Sequence, residues 1–231
     1  MAHDTRDLQG AAEVLERGTR EARELTKELF KDAVKNLGEI LGDQVQHWRF
    51  RRAMELREKT LRILTEKGIE PRTVDPKLLV GIVDAGSLEI DEDLHDKWAR
   101  LLASASSGVT IPPSYITILK GTTAAQAKLL DALLEFPPRK YESIRLQSWR
   151  VERPGVPWTP ETRIKKRNEF VDYWIGTLGV TEEGLQGDIQ ELLRQGLIEI
   201  GDHPDDPAFR LTSSGRRFVE ACRGPRLPEG T

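Results

Sequence analysis

The sequence predicts a mostly α protein. An N-terminal long-helix hairpin or bundle is followed by a winged-helix-like region with one short β-hairpin. Three observations carry this reading. Apolar residues recur every three or four positions through the first hundred residues, which is the spacing that puts them on one face of a helix. Charged residues make up 32 % of the chain, above the usual ~25 %, and favour long solvated helices over a thick sheet. Period-two alternation is confined to two short runs near the C-terminus, Leu197-Ile198-Glu199-Ile200 and Phe209-Arg210-Leu211.

The elements follow in chain order. Leu15, Ala22, Leu25, Leu29, Ala33, Leu37 and Leu41 form one stripe, interrupted at Gly38 and Gly42, where a kink or break is expected. Phe50, Met54, Leu61 and Leu64 continue it on a second helix, broken only by Arg57; Gly68 ends that helix and Pro71 forbids its continuation. Asp75-Pro76 starts a third helix, with Leu78, Leu79, Ile82 and Val83 inward and Gly86 as its stop. Asp91 opens the next. Its acidic first turn suits the helix dipole, and Leu94, Trp98, Leu101, Leu102 and Ala105 face the core. Gly108 to Pro113 is the expected boundary between an N-terminal helical region, 11–106, and a winged-helix-like region, 113–223.

Thr123 to Gln126 reads as a capping box ahead of Ala127, Leu130, Leu133 and Leu134, in a helix that ends at Pro137-Pro138. A basic insertion occupies 139–158. Thr159-Pro160 restarts a helix carrying Ile164, Val171, Trp174 and Leu178, and Thr181 caps another with Leu185, Ile189 and Leu192 inward and Gly196 as terminator. The two short strands follow, joined by a turn from Gly201 to Pro207. Thr212 caps a last helix containing Phe218, and residues 224–231 form a Pro/Gly-rich tail expected to be flexible.

Composition excludes several classes. The longest apolar run, Leu78 to Val83 with Gly81 inside it, falls far short of the roughly 20 residues of a transmembrane helix. Acid within the first residues and no apolar stretch behind it argue against a secretory signal, and a single cysteine, Cys222, fits a reducing cytoplasm. No pair of the four histidines, His3, His47, His95 and His203, has metal-ligand spacing. His95 stands beside Asp91, Asp93 and Asp96, but the reading preferred here is a solvated helix start with an ordinary surface histidine. No phosphate loop, nucleophile elbow or zinc-protease signature is present. The expectation is a protein that is not an enzyme, without catalytic residue, metal or cofactor.

Two charge blocks stand out. Residues 139–167 hold nine bases, Arg139, Lys140, Arg145, Arg150, Arg153, Arg163, Lys165, Lys166 and Arg167, against three acids, with Tyr141, Trp149 and Trp158 interleaved. Bases for phosphates and rings for stacking make this the candidate polyanion-binding segment. Residues 177–212 hold two bases against eight acids, so the helix and wing that a winged helix normally offers to DNA repel it. The preferred reading is that the basic segment docks against this acidic region, in its own chain or a second copy.

Three stretches resemble the Abi-alpha (abortive infection alpha) family of bacterial phage-defence proteins. They are Gly38 through Gly42, Asp43 and Trp48 to Phe50; Asp91-Glu92-Asp93-Leu94 through Trp98, Leu101, Leu102 and Ala103; and Gly196-Leu197-Ile198 with Leu211, Thr212, Gly215 and Phe218. The resemblance implies a role in which infected cells stop growing or die, and it brings no catalytic residues. The leading expectation is therefore a non-enzymatic defence protein acting through protein contacts or self-association. The first alternative is a nucleic-acid-binding regulator using 139–167. The second is an effector that associates with membranes through the N-terminal amphipathic helices.

Overall fold

The structure is a computed structural model that describes residues 43–135, 161, 172–177, 179–200 and 209–226. These are mostly helical, with one two-stranded antiparallel sheet. They divide into two compact units. One runs to Gly121 and takes in the chain from Glu220 onward; the other is Thr122–Val219.

The first unit is built on α1 (Asp43–Glu66), α2 (Pro76–Gly86), α3 (Glu92–Ser106) and the short α4 (Ser114–Lys120). The long side of α1 lies along α3, and α2 packs on both. Small residues allow the close approach: Ala53 on α1 and Ala99 and Ala103 on α3 are wholly buried, and the Thr60 hydroxyl donates across to the Ala99 carbonyl at 3.2 Å. Around them Leu56, Leu64, Leu79, Ile82, Val83, Trp98, Leu101 and Leu102 fill the core. Leu78 is only half-buried. The starts of α2 and α3 are where the aspartates mark them. The Asp75 carboxylate accepts from the N–H groups of Lys77 and Leu78, and that of Asp91 from Leu94. Gly68, at φ 61°, follows the end of α1.

Because α4 packs on α2, the first unit extends past the Gly108–Pro113 segment to Gly121. It also claims the start of the expected tail. Gly224 and Pro225 are buried, Gly224 lies against Ile63 and Arg100, Lys67 Nζ donates to the Pro225 carbonyl, and Ser104 Oγ donates to that of Ala221 at 2.8 Å. Gly224 and Pro225 are thus packed rather than free, with the Pro225 carbonyl held by Lys67, while Arg226 is exposed.

The second unit contains α5 (Ala124–Glu135), helical residues 172–177, α6 (Glu182–Arg194), β1 (Ile198–Ile200), β2 (Phe209–Leu211) and α7 (Ser213–Ala221), whose last two residues belong to the first unit. The capping box of α5 is reciprocal: Gln126 N–H donates to Thr123 Oγ1 and Thr123 N–H to Gln126 Oε1, each at 3.1 Å. The same Gln126 reaches Asp188 of α6 with its Nε2 at 2.9 Å. On α5 the buried positions are Ala127, Leu129 and Leu130, while Leu133 and Leu134 are half-buried. Leu185, Ile189 and Leu192 of α6 are buried as expected. The strands pair in the register Ile198↔Leu211 and Ile200↔Phe209, and Arg210 and Glu199 pair across the other face at 2.6 Å. Trp174 is buried, with Tyr173 edge-on to it at 5.0 Å. The stripe from Leu15 to Leu41 and the break at Gly38 and Gly42 lie outside the described residues. So do Pro137-Pro138, Ile164, Val171 and Leu178, and the turn from Gly201 to Pro207.

Candidate functional site

A cluster of charged and polar side chains lies where α1 meets α3. It is positioned by helical spacing. Arg49, Arg52 and Lys59 share the face of α1 that carries Leu56, and Glu92, His95 and Asp96 share one face of α3, at the spacing of adjacent turns. Arg49 and Arg52 are buried. Arg49 pairs with Asp84 at 2.6 Å and reaches Ser87 Oγ, both at the end of α2. Arg52 pairs with Glu92 at 2.6 Å and Glu55 at 3.0 Å and donates to the Glu89 carbonyl at 2.9 Å.

Lys59 sits at the centre. Its ammonium lies 2.5 Å from Asp96 Oδ1, 3.0 Å from Glu92 Oε2 and 3.1 Å from His95 Nδ1. His95 has no exposed surface, and its other ring nitrogen, Nε2, is 3.3 Å from the Arg52 carbonyl. That carbonyl can only accept, so Nε2 carries the proton and Nδ1 accepts from Lys59.

The electrostatics agree with this arrangement. Burial lowers the His95 pKa below its ordinary value, and the neighbouring Arg52 and Lys59 cations lower it further. For Lys59 burial acts against the charged form, but the hydrogen bonds to Asp96 and Glu92 outweigh it and raise its pKa. Glu92, held by hydrogen bonds from Lys59 and Arg52, is brought down to about 2. At neutral pH the lysine is thus charged, the carboxylate ionised and the imidazole neutral, each fixed by the others.

Glu92, His95 and Asp96 each offer a ligand atom, all within 4.8 Å of one another, which is the donor set of a cation site. In this chain the cation is the Lys59 ammonium, bonded to all three donors. The cluster departs from the sequence reading in two ways. His95 is buried rather than a surface histidine, because α1 covers it. Its companions are Glu92 and Asp96, at three before and one after, and not Asp91, which is committed to capping α3. Glu92 was legible as the residue one turn before His95 and Asp96. Lys59 and Arg52 left only a weak trace, two bases on the apolar face of α1.

The residues of the quoted motifs are largely the framework of the two units. Asp91 caps α3; Leu94, Trp98, Leu101 and Leu102 are buried, and Asp93 is exposed in the first turn. Trp48 is half-buried. Gly196, at φ 67°, turns the chain out of α6, and Leu197, Ile198, Leu211 and Phe218 are buried. The Thr212 hydroxyl donates to the Gly196 carbonyl at 2.7 Å and accepts from the Gly215 N–H at 2.9 Å. A Cβ on Gly215 would lie 1.9 Å from the Leu197 carbonyl oxygen, so only glycine fits there. Gly42 lies outside the described residues, and Asp43 begins α1. Arg139, Lys140, Arg145, Trp149, Arg150, Arg153, Trp158, Arg163, Lys165, Lys166 and Arg167 also lie outside them.

The family model of abortive infection alpha matches residues 49–222, most of the chain. The protein belongs to the Abi-alpha family. The Abi-alpha match begins at Arg49, the first of the buried bases of the α1–α3 cluster, and ends at the buried Cys222. No curated protein and no solved structure matches the chain.

Proposed function

We propose that the protein is a cytoplasmic phage-defence protein of the abortive-infection type that acts through protein contacts and not through catalysis. The Abi-alpha match over residues 49–222 carries the defence reading. The α1–α3 cluster supports the non-enzymatic part. A catalytic acid or base needs a pKa near the working pH and access to a substrate. Here Glu92 is held near 2, Lys59 is held charged, and the neutral His95 is buried with both ring nitrogens engaged. Among the described residues no helix is long and apolar enough to cross a membrane.

The order α6, β1, β2, α7 is compatible with a winged helix, in which α6 would take the place of the recognition helix. Its solvent side carries Glu182 and Glu183 in the first turn, and Glu191, whose carboxyl is held down to about 2 by Arg194 and then Gln195. An acidic reading helix suits a basic protein surface better than a phosphate backbone. The second reading, a regulator that binds single-stranded nucleic acid, rests on the nine bases and three interleaved rings of 139–167.

Phage plating on a host expressing the protein tests the leading reading, with culture survival followed at low and high phage dose. The expected result is protection at low dose and collapse of the culture at high dose. Unchanged plating across a broad phage panel, with soluble protein present, would remove the defence reading. Preserved defence in Lys59→Met and His95→Gln variants is the outcome expected of a structural cluster; loss of defence in folded variants would point to chemistry there.

A further inference from the structure

The corner between α2 and α3, residues 87–91, holds apolar side chains in water on a backbone that is tied down at every step. Ile90 is 80 % exposed and Leu88 43 %, although isoleucine is among the side chains most often buried. The loop does not leave it out for want of structure. The N–H groups of Leu88 and Glu89 donate to the carbonyls of Ala85 and Gly86, and those of Ile90 and Asp91 both donate to Glu89 Oε1 at 3.0 Å. Arg52 of α1 holds the Glu89 carbonyl, and Asp91 caps α3. Ile90 is therefore a preset knob, whose ordering is complete before anything binds it.

The charge around the knob has one sign. Residues 84–96 hold six acids and no lysine or arginine. The bases that pair with them from α1, Arg49, Arg52 and Lys59, number half as many. Two of the three are also turned inward: the side chains of Arg49 and Arg52 are 9 % exposed, whereas those of Asp84 and Glu92 are 48 % and 67 % exposed. Solvent thus meets an apolar knob with an acidic rim.

We propose that this corner is a docking surface for a protein partner whose own surface is basic. Ile90 and Leu88 enter an apolar pocket of the partner, and lysines or arginines around that pocket meet Asp84, Glu92 and Asp93. The rim selects this class. It repels a phosphate backbone and an anionic lipid surface alike, and it steers a basic protein surface toward the knob. The proposal rests on the reading that the protein acts through protein contacts, and it supplies the place and the chemistry of one such contact.

The probe is a short labelled synthetic helix of leucine and lysine, titrated against the full chain, with a leucine and glutamate helix of the same pattern as control. The expected result is that the lysine helix binds and the glutamate helix does not. Ile90→Ser, at a position so exposed that the melting temperature should stay native, is expected to weaken binding about tenfold or more. If Ile90→Ser melts lower, Leu88→Ser takes its place. Binding that these variants leave unchanged would assign the lysine helix to another acidic surface and overturn the proposal. Equal binding of both helices, or binding of neither, would overturn it too. So would a native dimer in sedimentation that Ile90→Ser converts to a monomer, since the occupant is then a second copy. Phage plating keeps the two readings apart. Peptide binding at the corner without protection by the native chain would remove the defence reading and leave the surface standing; protection undiminished by Ile90→Ser would remove the surface and leave the defence reading.

Discussion

At Gly215 one hydrogen atom does work that no other side chain can. The N-terminal turn of α7 comes so close to the start of β1 that a Cβ would meet the Leu197 carbonyl oxygen at 1.9 Å, and both partners are backbone. Gly215→Ala is expected to cost about 3 kcal/mol, the upper range for forcing atoms into a packed site. Gly187, in the middle of α6, has nothing within 4 Å of the same added atom. Gly187→Ala is expected to stabilise by about 0.5–1 kcal/mol through the lost freedom of the unfolded chain. Thermal melts of the two variants should therefore move in opposite directions, and a fall for both would mean the glycines are not distinguished by space. The neutral imidazole of His95 makes a further residue-scale prediction. Its folded pKa lies below the ordinary 6.5, so below that pH the unfolded chain binds a proton that the folded chain resists. Stability contributed by the neutral ring is complete above pH 6.5 and falls as the pH drops below it. Glu92 adds a second loss as the pH falls from its ordinary 4.5 toward about 2. Denaturant midpoints measured from pH 8 to 5 should fall, and His95→Gln should flatten that part of the curve. Lys59 tests the cluster from the other side. With the ammonium gone, Lys59→Ala leaves Glu92, His95 and Asp96 facing an open position. The variant should melt lower than the native chain and be raised by millimolar zinc, while the native chain is indifferent to it.

Helices and caps were largely legible in the sequence, and the contacts between them largely were not. Asp75, Asp91, Thr123, Thr181 and Thr212 all accept the backbone N–H bonds expected of capping residues, because a cap is made within a few residues of its own helix. Trp98 with Leu94, Leu101 and Leu102 was readable as a core face for the same local reason. The ion pairs of Arg52 and Lys59 with Glu92 cross 40 and 33 residues of chain, and no periodicity marks such partners. Charged residues on a helix read as a solvated face, and so His95 was placed at the surface. Gln126 shows both kinds of interaction in one side chain: its cap was legible, its bond to Asp188 was not. Gln126→Glu separates them. The carboxylate can still accept from Thr123 N–H, but it stands where an amide donor now meets Asp188 at 2.9 Å. Two carboxylates at that distance repel. The variant should lose about 1–2 kcal/mol at neutral pH and recover part of it near pH 4, as one of the pair takes a proton; equal loss at both pH values would mean the Asp188 bond contributes nothing.

Over the whole molecule the charge is nearly balanced, at a net of −3, but it is sorted along the chain. Residues 139–167 carry nine bases and three acids, and 177–212 two bases and eight acids. If opposite blocks this close in sequence attract each other, an outside polyanion has to compete with a tethered counterpart. That competition decides between the two readings of the basic segment. If phosphates win, about six contacts to a single strand would make affinity fall roughly 300-fold between 50 and 200 mM salt. If the acidic block wins, a labelled single strand is not held even at 50 mM salt, and the bases contribute to stability instead. The second outcome is expected. Reversing Arg163, Lys165, Lys166 and Arg167 to glutamate should then lower the melting temperature in low salt, and the difference from the native chain should shrink as salt screens the pairing. Salt-steep binding that this same reversal abolishes, without a change in melting temperature, would give the segment to nucleic acid and make the second reading of the function the first.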